Sequence, residues 1–391
     1  MAQGVGVQGN LERNVYCLLG LPFDALDMAG AVQRVRDAAA QRRRCFISTP
    51  NLNFLINSQN DAPFRDSVIM SDLSIADGMP LVWMARLLRL PLPERVPGSG
   101  LFDQLRKRGA TTVSVYFFGG PDGVAEAAAR RLNAEASGMV CVGFESPGHG
   151  SLDELSSDDR IARINASGAD LLVVSLGAKK GQAWIERNRA SIVVPAISHL
   201  GAVVNFVAGT VRRAPTWMQN VGLEWLWRIK EEPSLWRRYL GDGFNLARLL
   251  FTRVLPFAWL VRWRKPQRAA FDSAELQVVE KGNEALIRLR GAWAEENLPR
   301  LRACLMAVTA AGRNVRIDLS GVSYVDSSFL GLLLLLYGVQ KQAARRLSCE
   351  AASARVGRIF AYACSGFLLR SAARGEAGEL DLEETEEAIG G

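Results

Sequence analysis

The sequence predicts an α/β protein with a doubly wound, mostly parallel sheet in its first domain, a basic helical appendage, and then a small α/β domain. Over residues 45–210, short runs that are apolar throughout alternate with helical patterns. Such runs are typical of parallel strands covered by helices on both faces. After a polar linker at 264–275 the strand and helix patterns restart, which predicts the small domain. A length of 391 residues is consistent with more than one domain.

The strands of the doubly wound domain are predicted from its apolar runs. They are 44–49, 114–120, 139–144, 170–177 and 191–198. Ligands of such domains usually bind outside the carboxyl ends of the strands. Polar residues that directly follow these runs are therefore the first candidates for a functional site.

The small domain has its own series of predicted elements. They are a strand at 275–291, a helix at 296–312, a strand at 314–321, a helix that begins at Ser328 and a short strand near 347–351. The predicted boundaries are 1–211 for the doubly wound domain, 212–268 for the appendage, 269–375 for the small domain and 376–391 for an acidic tail.

Composition excludes several classes of protein. The chain has only two histidines, His149 and His199, so a multi-histidine metal site is excluded. Its six cysteines are scattered and form no CxxC pair, which is typical of reduced thiols in a cytosolic protein. The N-terminal residues lack the pattern of a secretory signal. We therefore expect a cytoplasmic protein.

The positive charge is concentrated in the appendage. Residues 212–268 contain twelve Lys or Arg against four Asp or Glu, a balance of +8, and six of the nine tryptophans. Arg248, Arg253 and Pro256 interrupt the apolar stretch 244–264. We expect an amphipathic segment that lies on the inner membrane without spanning it. A helical hairpin packed on its own domain is the alternative.

Asp77 stands directly before Gly78 in the stretch "SIADGMPLVW" (74–83). An Asp-Gly pair is the commonest signal for a two-residue hairpin turn. The residues that follow have helical character, and this weakens the hairpin interpretation. A carboxylate between the end of a strand and the start of a helix is where a parallel-sheet enzyme would hold its general base.

Thr49, Asn51 and Asn53 follow the first predicted strand. Such residues commonly cap the next helix, and capping is one interpretation of them here. They are also suitable uncharged hydrogen-bond partners for a sugar or a nucleotide.

Arg95 lies beside the short turn Gly98, Ser99 and Gly100. A guanidinium next to backbone N–H groups in a glycine-rich turn suits phosphate. Alone, the pattern is a weak signal.

Two further turns join a strand to a helix N-terminus, an arrangement that binds anions. They are "FFGGPDGVAEAAARRL" and "SLGAKKGQAW", and the second contains Lys179, Lys180 and Gln182. Neither carries a full GxGxxG or a P-loop lysine. Two such turns in one sheet indicate a nucleotide or nucleotide-sugar ligand.

Seven motifs occur in order across residues 16–240 and carry a specific resemblance. They are "TPNLNF", "ADGMPLVW", "RVPGSG", "FFGGPDGVAEAAARRL", "LGAKKGQAW", "GAVVNFVAGTVRRAPTWMQNVGLEWLWRI" and "EEPSLWRRY". Together they resemble the WecG/TagA/CpsF family of bacterial glycosyltransferases.

The resemblance implies an inverting transferase that needs no metal cofactor. Its donor would be a nucleotide-sugar, and its acceptor a polyprenyl-diphosphate-linked sugar at the inner face of the membrane. Asp77 would be the general base, and Thr49 and Asn51 would line the active site. Arg95 would face the diphosphate, and Gln182 would lie in the nucleotide-sugar pocket. The basic helices would meet the lipid and help to complete the site.

The chain departs from the family pattern at several positions. Where the family often has Pro-Lys-Gln-Glu, the chain has Lys179-Lys180-Gly181-Gln182. Gly100 and Asn205 stand where the family often has aspartate. These changes bear on the donor sugar and not on the fold.

The small domain has the signature "VRIDLSGVSYVDSSFLGLLLLL" (315–336). Asp326 and the serines after it are suitable helix caps. Across residues 275–370 the pattern also resembles STAS domains of anti-sigma factor antagonists. That resemblance makes Ser327 a candidate for phosphorylation by a partner kinase, although Phe329 replaces the usual glycine.

We therefore expect a membrane-associated glycosyltransferase with a C-terminal STAS domain, acting in synthesis of an exopolysaccharide or other surface glycan. The alternative is a regulator without catalytic activity that senses a nucleotide-sugar and signals through its STAS domain. Retention of Asp77 and Arg95 favours the enzyme. A nucleic-acid partner is not expected, because the tryptophans lie on apolar helical faces. Formation of a homo-oligomer is left open.

Overall fold

A computed structural model of the chain describes residues 10–109, 111–135, 137–220 and 222–370. The predicted acidic tail at 376–391 lies outside them. The chain divides into two compact units. The larger unit is Phe23–Arg248, and the smaller unit combines the residues before Phe23 with those from Leu249 onward. Both units are α/β, which confirms the predicted fold class.

The larger unit is built on a six-stranded sheet in the order β4-β3-β8-β7-β5-β6. Every neighbouring pair of strands is parallel. The strands are β3 (Cys45–Ser48), β4 (Leu73–Ser74), β5 (Val113–Gly119), β6 (Met139–Glu145), β7 (Leu171–Ser175) and β8 (Ala196–His199). Five of the six match the predicted runs. The sixth, β4, is two residues long and leaves no run in the sequence.

Helices cover both faces of this sheet. Those of the larger unit are α1 (Met28–Ala40), α2 (Leu52–Asn60), α3 (Ala62–Ile69), α4 (Met79–Leu87), α5 (Gly98–Arg106), α6 (Val124–Ala134), α7 (Asp158–Ala166), α8 (Ala178–Asn188), α9 (Val203–Ala208), α10 (Thr216–Asn220) and α11 (Glu224–Glu231).

The strands bury alternate side chains in two separate apolar clusters. Val115 and Phe117 of β5 belong to one cluster, and Tyr116 and Phe118 belong to the other. Because successive residues of a strand point to opposite faces, the two clusters are the cores on the two faces of the sheet. This double burial explains why β3, β5, β7 and β8 are apolar throughout.

The end of the appendage is one long helix. It consists of α12 (Trp236–Leu249), a π-helical turn at Leu250–Val254 and α13 (Leu255–Arg264). Proline lacks the N–H of an α-helical hydrogen bond, and a π turn before Pro256 accommodates it without breaking the helix. The helix therefore continues through Pro256. One helix in the described part of the chain, Pro233–Trp263, could cross a membrane by length and composition.

The smaller unit contains a four-stranded sheet in the order β12-β11-β10-β9. Its strands are β9 (Glu275–Lys281), β10 (Glu284–Trp293), β11 (Asn314–Val325) and β12 (Leu347–Glu350). The β9–β10 pair is antiparallel and the others are parallel. The single strand predicted at 275–291 is thus a hairpin, which turns at Gly282–Asn283 with a positive φ at Gly282.

The helices of the smaller unit, after the end of α13, are α14 (Arg268–Asp272), α15 (Leu298–Ala310), α16 (Ser327–Gln342), α17 (Ala354–Tyr362) and α18 (Phe367–Arg370). Helix α16 is the central one, since almost all of its residues from Ser327 to Gln340 are buried. Asp326 caps it, because its carboxylate accepts a hydrogen bond from the N–H of Phe329.

The described N-terminal residues belong to the smaller unit. Strands β1 (Val15–Leu18) and β2 (Leu21–Asp24) pair across the turn at Leu19–Gly20, where both residues have positive φ. Such a turn matches the twist of paired strands. All four residues of β1 are buried. The predicted boundary 1–211 puts this segment in the first domain, whereas in the structure it is grouped with the smaller unit.

Candidate active site

Asp77 lies just beyond β4, immediately before α4. Its N–H donates to the carbonyl of Pro50 (2.9 Å), which ties the strand end to the loop after β3. Its carboxylate accepts from the N–H of Gly98 (3.2 Å) at the start of α5. The side chain is half-buried, deep among protein atoms but still reached by solvent.

Burial raises the pKa of Asp77 to about 6. The Gly98 N–H and the charges of Arg95 and Arg228 lower it, and the charge of Glu224 raises it. A carboxyl group with this pKa is ionised at neutral pH but more basic than an exposed aspartate. Asp77 therefore has the properties of a general base.

Arg95 is held beside Asp77 by the appendage. Its Nη1 donates to Oε2 of Glu224 on α11 (3.0 Å), and both side chains are largely buried. The next residue, Val96, donates its N–H to the carbonyl of Ala76 (2.9 Å). One bond to Glu224 leaves most of the five N–H donors of a guanidinium for another anion.

Thr49 is buried next to the same turn. A Cβ placed on Gly98 would lie 3.3 Å from both Oγ1 and Cγ2 of Thr49 and 2.5 Å from Cδ2 of Leu200. The absence of a side chain at Gly98 allows this contact and brings its N–H to Asp77. The structure thus assembles Thr49, Asp77 and Arg95 around one point.

Asn51 and Gln182 are placed differently. Asn51 caps α2, because its Oδ1 accepts from the N–H of Phe54 (3.2 Å). Gln182 is fully buried, and its amide contacts Oγ of Ser48 (3.2 Å) and Oγ of Ser67 (3.5 Å). Asn51 remains at the edge of the site, whereas Gln182 supports the residue before Thr49. Their predicted contacts with substrate stay predictions.

The two lysines of the second glycine turn are engaged by the protein. Lys179 forms an ion pair with Asp61 (2.9 Å), and Nζ of Lys180 donates to the carbonyl of Gly150. The other turn has positive φ at Gly119 and Gly120, and the N–H of Gly120 donates to the carbonyl of Ser175 (2.8 Å). The bond from Gly120 to Ser175 joins the ends of β5 and β7 at the carboxyl edge of the sheet.

The appendage contributes charged residues that the sequence did not single out. Glu224 and Arg228 are four residues apart and so share a face of α11. Arg228 lies over the ring of Phe206 (5.9 Å), as does Arg213 (5.6 Å). The sequence signal available for Glu224 and Arg228 was their four-residue spacing on a predicted basic helix. Their proximity to Asp77 could not be inferred from it.

Asp242, on α12 of the appendage, is another largely buried acid of the larger unit. Burial raises its pKa, while Arg238 and a hydrogen bond with Asn53 lower it. Asn53 lies on α2, next to the cap residue Asn51. Helix α12 is therefore joined to α2, the helix that follows Thr49.

His199 ends β8 and is also missing from the predicted set. Its Nε2 lies 2.5 Å from the carbonyl oxygen of Leu176, and its ring lies 6.4 Å from that of Phe54. A carbonyl only accepts, so Nε2 carries the proton and Nδ1 is an acceptor. Burial lowers the pKa of His199, which keeps the ring neutral. Its position directly after a predicted strand was the available signal.

The ring of His199 occupies the space beside Gly181. A Cβ on Gly181 would lie 2.1 Å from Cδ2 of His199. Gly181 stands where the resembled pattern often has glutamine, so the ring fills a volume that a side chain at 181 would need. The two residues therefore form a coupled pair.

Ser327 lies in the smaller unit and is no part of this site. Among the residues described, no group of three or more His, Cys, Asp or Glu side chains is placed to hold a metal ion.

Known protein families match both parts of the chain. A family model described as "Glycosyl transferase WecG/TagA/CpsF family" matches residues 16–259, more than half of the chain. The chain belongs to this family. It is a glycosyltransferase, as the resemblance implied. A second model, described as "Mlab, STAS domain", matches residues 276–366, so the predicted STAS domain is confirmed.

Two curated relatives carry the name N-acetylglucosaminyldiphosphoundecaprenol N-acetyl-beta-D-mannosaminyltransferase. The protein from Bacillus spizizenii strain W23 is 28% identical over 208 residues, covering 51% of this chain and 77% of the relative. The protein from Bacillus subtilis strain 168 is 27% identical over 208 residues, with the same coverage.

The coupling of Gly181 and His199 predicts a non-additive effect on stability. Gly181→Ala should lower the free energy of unfolding by about 1 to 3 kcal/mol, because overpacking outweighs the better helix propensity of alanine. Combined with His199→Gly, the same change should cost at least about 1 kcal/mol less than on its own. Urea unfolding of the four proteins measures this coupling.

Gly177→Ala is the matched control, since a Cβ there would meet no atom within 4 Å. Additive effects of the Gly181 and His199 substitutions would contradict the coupling.

Proposed function

We propose that this chain moves a sugar from a nucleoside-diphosphate sugar to a polyprenyl-diphosphate-linked acceptor, with inversion at the anomeric carbon. The reaction would take place at the inner face of the cytoplasmic membrane, in synthesis of an exopolysaccharide or other surface glycan. The names of both relatives include a sugar linked to diphosphoundecaprenol as acceptor, which supports an acceptor of this class.

The observation that carries the proposal is the half-buried Asp77 carboxylate with its raised pKa, beside Arg95. In a single displacement, Asp77 takes the proton of the acceptor hydroxyl as that oxygen attacks the anomeric carbon. The bond from the anomeric carbon to the phosphate oxygen breaks, and the nucleoside diphosphate leaves with the bonding electrons. One displacement at the carbon inverts its configuration.

Arg95 and Arg228 are suited to stabilise the leaving diphosphate. Negative charge develops on the phosphate oxygens as the bond breaks, and preorganised guanidinium groups stabilise such charge. Both charges already act on Asp77, so they lie near the reacting atoms. We infer that this pair performs the electrostatic role that a metal ion performs in other transferases.

The long helix of the appendage is suited to contact lipid. On α12, Trp236, Leu240 and Phe244 follow one another at four-residue spacing and are exposed. On α13, Leu255, Trp259 and Trp263 repeat the same spacing, also exposed. Tryptophan favours the headgroup level of a bilayer, and each nearby basic residue adds about 1 kcal/mol at an anionic surface.

The exposed apolar side chains of α12 and α13 favour a helix that lies in the membrane interface. Arg248 and Arg253 fall within the most apolar part of the sequence and would be costly at the centre of a bilayer. An interfacial helix avoids that cost, and Arg253 already donates from Nη1 to the carbonyl oxygen of Ala361 (3.0 Å). We therefore propose peripheral association with the inner membrane.

Asp77→Asn should reduce turnover by roughly a hundredfold or more, because asparagine cannot accept the proton. Donor affinity should change little. In the wild type, turnover should fall as the pH drops below about 6, where Asp77 becomes protonated. Transfer from a panel of radiolabelled nucleotide-sugars to a short-chain polyprenyl-diphosphate sugar measures both effects.

The same variant should be more stable than the wild type at pH 7. The raised pKa means that ionising Asp77 opposes folding, an effect that is absent below pH 4 and complete above about pH 6. Removing the charge should add about 1 to 3 kcal/mol at pH 7 and nothing below pH 4. Asp159→Asn, which changes an exposed acid on α7, is the control.

Unchanged turnover in Asp77→Asn would show that Asp77 is a turn residue and not the general base.

Transfer should survive chelation by EDTA, since the proposed mechanism assigns the diphosphate charge to arginines. The measurement is the initial rate with and without EDTA, next to a metal-dependent glycosyltransferase that loses activity under the same conditions. A requirement for Mg²⁺ or Mn²⁺ would count against the proposed mechanism.

The double substitution Phe244→Ser and Phe251→Ser should weaken binding to anionic vesicles by roughly tenfold or more, because two exposed apolar side chains no longer enter the interface. These residues are 74% and 72% exposed, so folding should be little affected. Co-sedimentation with phosphatidylglycerol vesicles measures the change. High salt should weaken wild-type binding.

Val142→Ser with Phe144→Ser is the matched control, since both residues are exposed on β6. An equal loss of vesicle binding in the control, or no loss in the Phe244 and Phe251 variant, would show that the long helix is not the membrane contact.

A further inference from the structure

The face of α16 around Ser327 is covered by residues 10–22, which belong to the same unit. The hydroxyl of Ser327 donates to the carbonyl of Cys17 (2.6 Å), and Ser327 is only 5% exposed. The resemblance to STAS domains makes Ser327 a candidate for phosphorylation. In the structure a strand of the chain itself lies over its hydroxyl.

Two glycines allow this close contact, one on each side. Gly331 follows Ser327 by about one helical turn, and a Cβ there would lie 2.5 Å from the carbonyl oxygen of Val15. On the N-terminal segment, Gly20 has a φ of +85° and a Cβ there would lie 2.7 Å from the carbonyl oxygen of Cys364. The backbones of the two surfaces therefore approach each other closely, because Gly331 and Gly20 have no side chains.

Polar contacts hold the first half of the segment. The hydroxyl of Tyr16 donates to Oε1 of Glu295 (2.7 Å). Arg302 donates from Nη1 to the carbonyl oxygen of Arg13 (2.9 Å) and also to that of Leu11. Cys17, the next residue along the segment, is fully buried, and its Sγ lies 3.7 Å from the carbonyl oxygen of Ala363.

We infer that this face of the STAS domain is a docking site for the chain's own residues 10–22, and that a negative group on Ser327 releases them. An ATP-dependent kinase would move the γ-phosphoryl group to Oγ, with loss of the hydroxyl proton and release of ADP. The phosphate cannot remain between α16 and the carbonyl of Cys17, because a buried dianion needs compensating charge. Docking of the segment and modification of Ser327 therefore exclude each other.

The group beside Ser327 strengthens this exclusion. Asp326 is buried, and its carboxylate accepts bonds from Ser328, from the N–H of Phe329 and from the N–H of Glu295. A second negative charge one residue away would be repelled. Arg302, the cation that holds the segment, is already bonded to its carbonyl oxygens. The inference does not depend on the transfer reaction.

Cys17 provides a direct probe of the docked state. Burial raises the pKa of its thiol to about 12, so the docked thiol should not react with iodoacetamide. Cys349 of β12 is buried in the same unit, with its pKa also raised to about 12. Its reaction would report unfolding of the unit. Alkylation of the two residues, read by peptide mass spectrometry on the full chain, separates release from unfolding.

Ser327→Glu should raise the rate of Cys17 alkylation at least tenfold while Cys349 stays protected. Ser323→Glu, the same change at an exposed position of β11, should leave both cysteines protected. Continued protection of Cys17 in Ser327→Glu would overturn the inference. Joint reaction of Cys17 and Cys349 would overturn it as well, since release would then be global unfolding.

Gly331→Ala tests the docking contact without adding charge. Alanine favours the helical conformation more than glycine does, so α16 itself should not be weakened. The new Cβ would meet the carbonyl of Val15, and Cys17 alkylation should accelerate several-fold with Cys349 protected. An unchanged rate would show that the close approach at Gly331 does not hold the segment.

Discussion

Burial of one carboxylate, that of Asp77, is the constraint on which the active site of the larger unit depends. Taking a carboxylate out of water disfavours its charged form, and this is the main cause of its pKa of about 6. The Gly98 N–H and two guanidinium groups recover part of that free energy. The balance leaves a group that is ionised at neutral pH and still basic enough to accept a proton. Each partner comes from a different element, so the site requires the whole sheet edge to be correctly assembled.

The appendage follows from the same constraint. Arg95 alone would be a cation on a loop. Its bond to Glu224 fixes it beside Asp77, and Arg228 adds a second positive charge from the same helix. Gly222 permits this approach, because a Cβ there would lie 2.8 Å from Cβ of Met79 at the start of α4. One stretch of chain therefore completes the electrostatics of the site and also exposes apolar side chains along its last helix.

The sequence was informative where a pattern is local. Strands β3, β5, β7 and β8 were predictable because both of their faces are buried, and β6 because its sequence is apolar even on its exposed face. Asp77 and Arg95 were predictable because they follow recognisable strand and turn signals. Strand β4 was missed because two residues make no pattern. The β9–β10 hairpin was read as one strand because β9 is almost wholly exposed and shows no alternation that would mark its end.

Contacts between residues that are far apart in the sequence could not be predicted from a single sequence. Arg95 and Glu224 are separated by 129 positions, and nothing in either local stretch points to the other. In the sequence, the only sign of the contact between Gly181 and His199 is that glycine stands at position 181, where the family often has glutamine. Likewise, residues 10–22 look like the first strand of the domain that follows them, and only their burial in the smaller unit shows where they belong.

The grouping of residues 10–22 with the C-terminal part of the chain has a consequence for biosynthesis. The ribosome delivers this segment before the STAS domain, so its binding surface on α16 is complete only after that domain has been made. At the usual rate of about 5 to 20 residues per second, the interval is on the order of tens of seconds. The apolar residues of β1 therefore lack their partner surface while the larger unit folds, and the nascent chain exposes an apolar segment of the kind that chaperones bind.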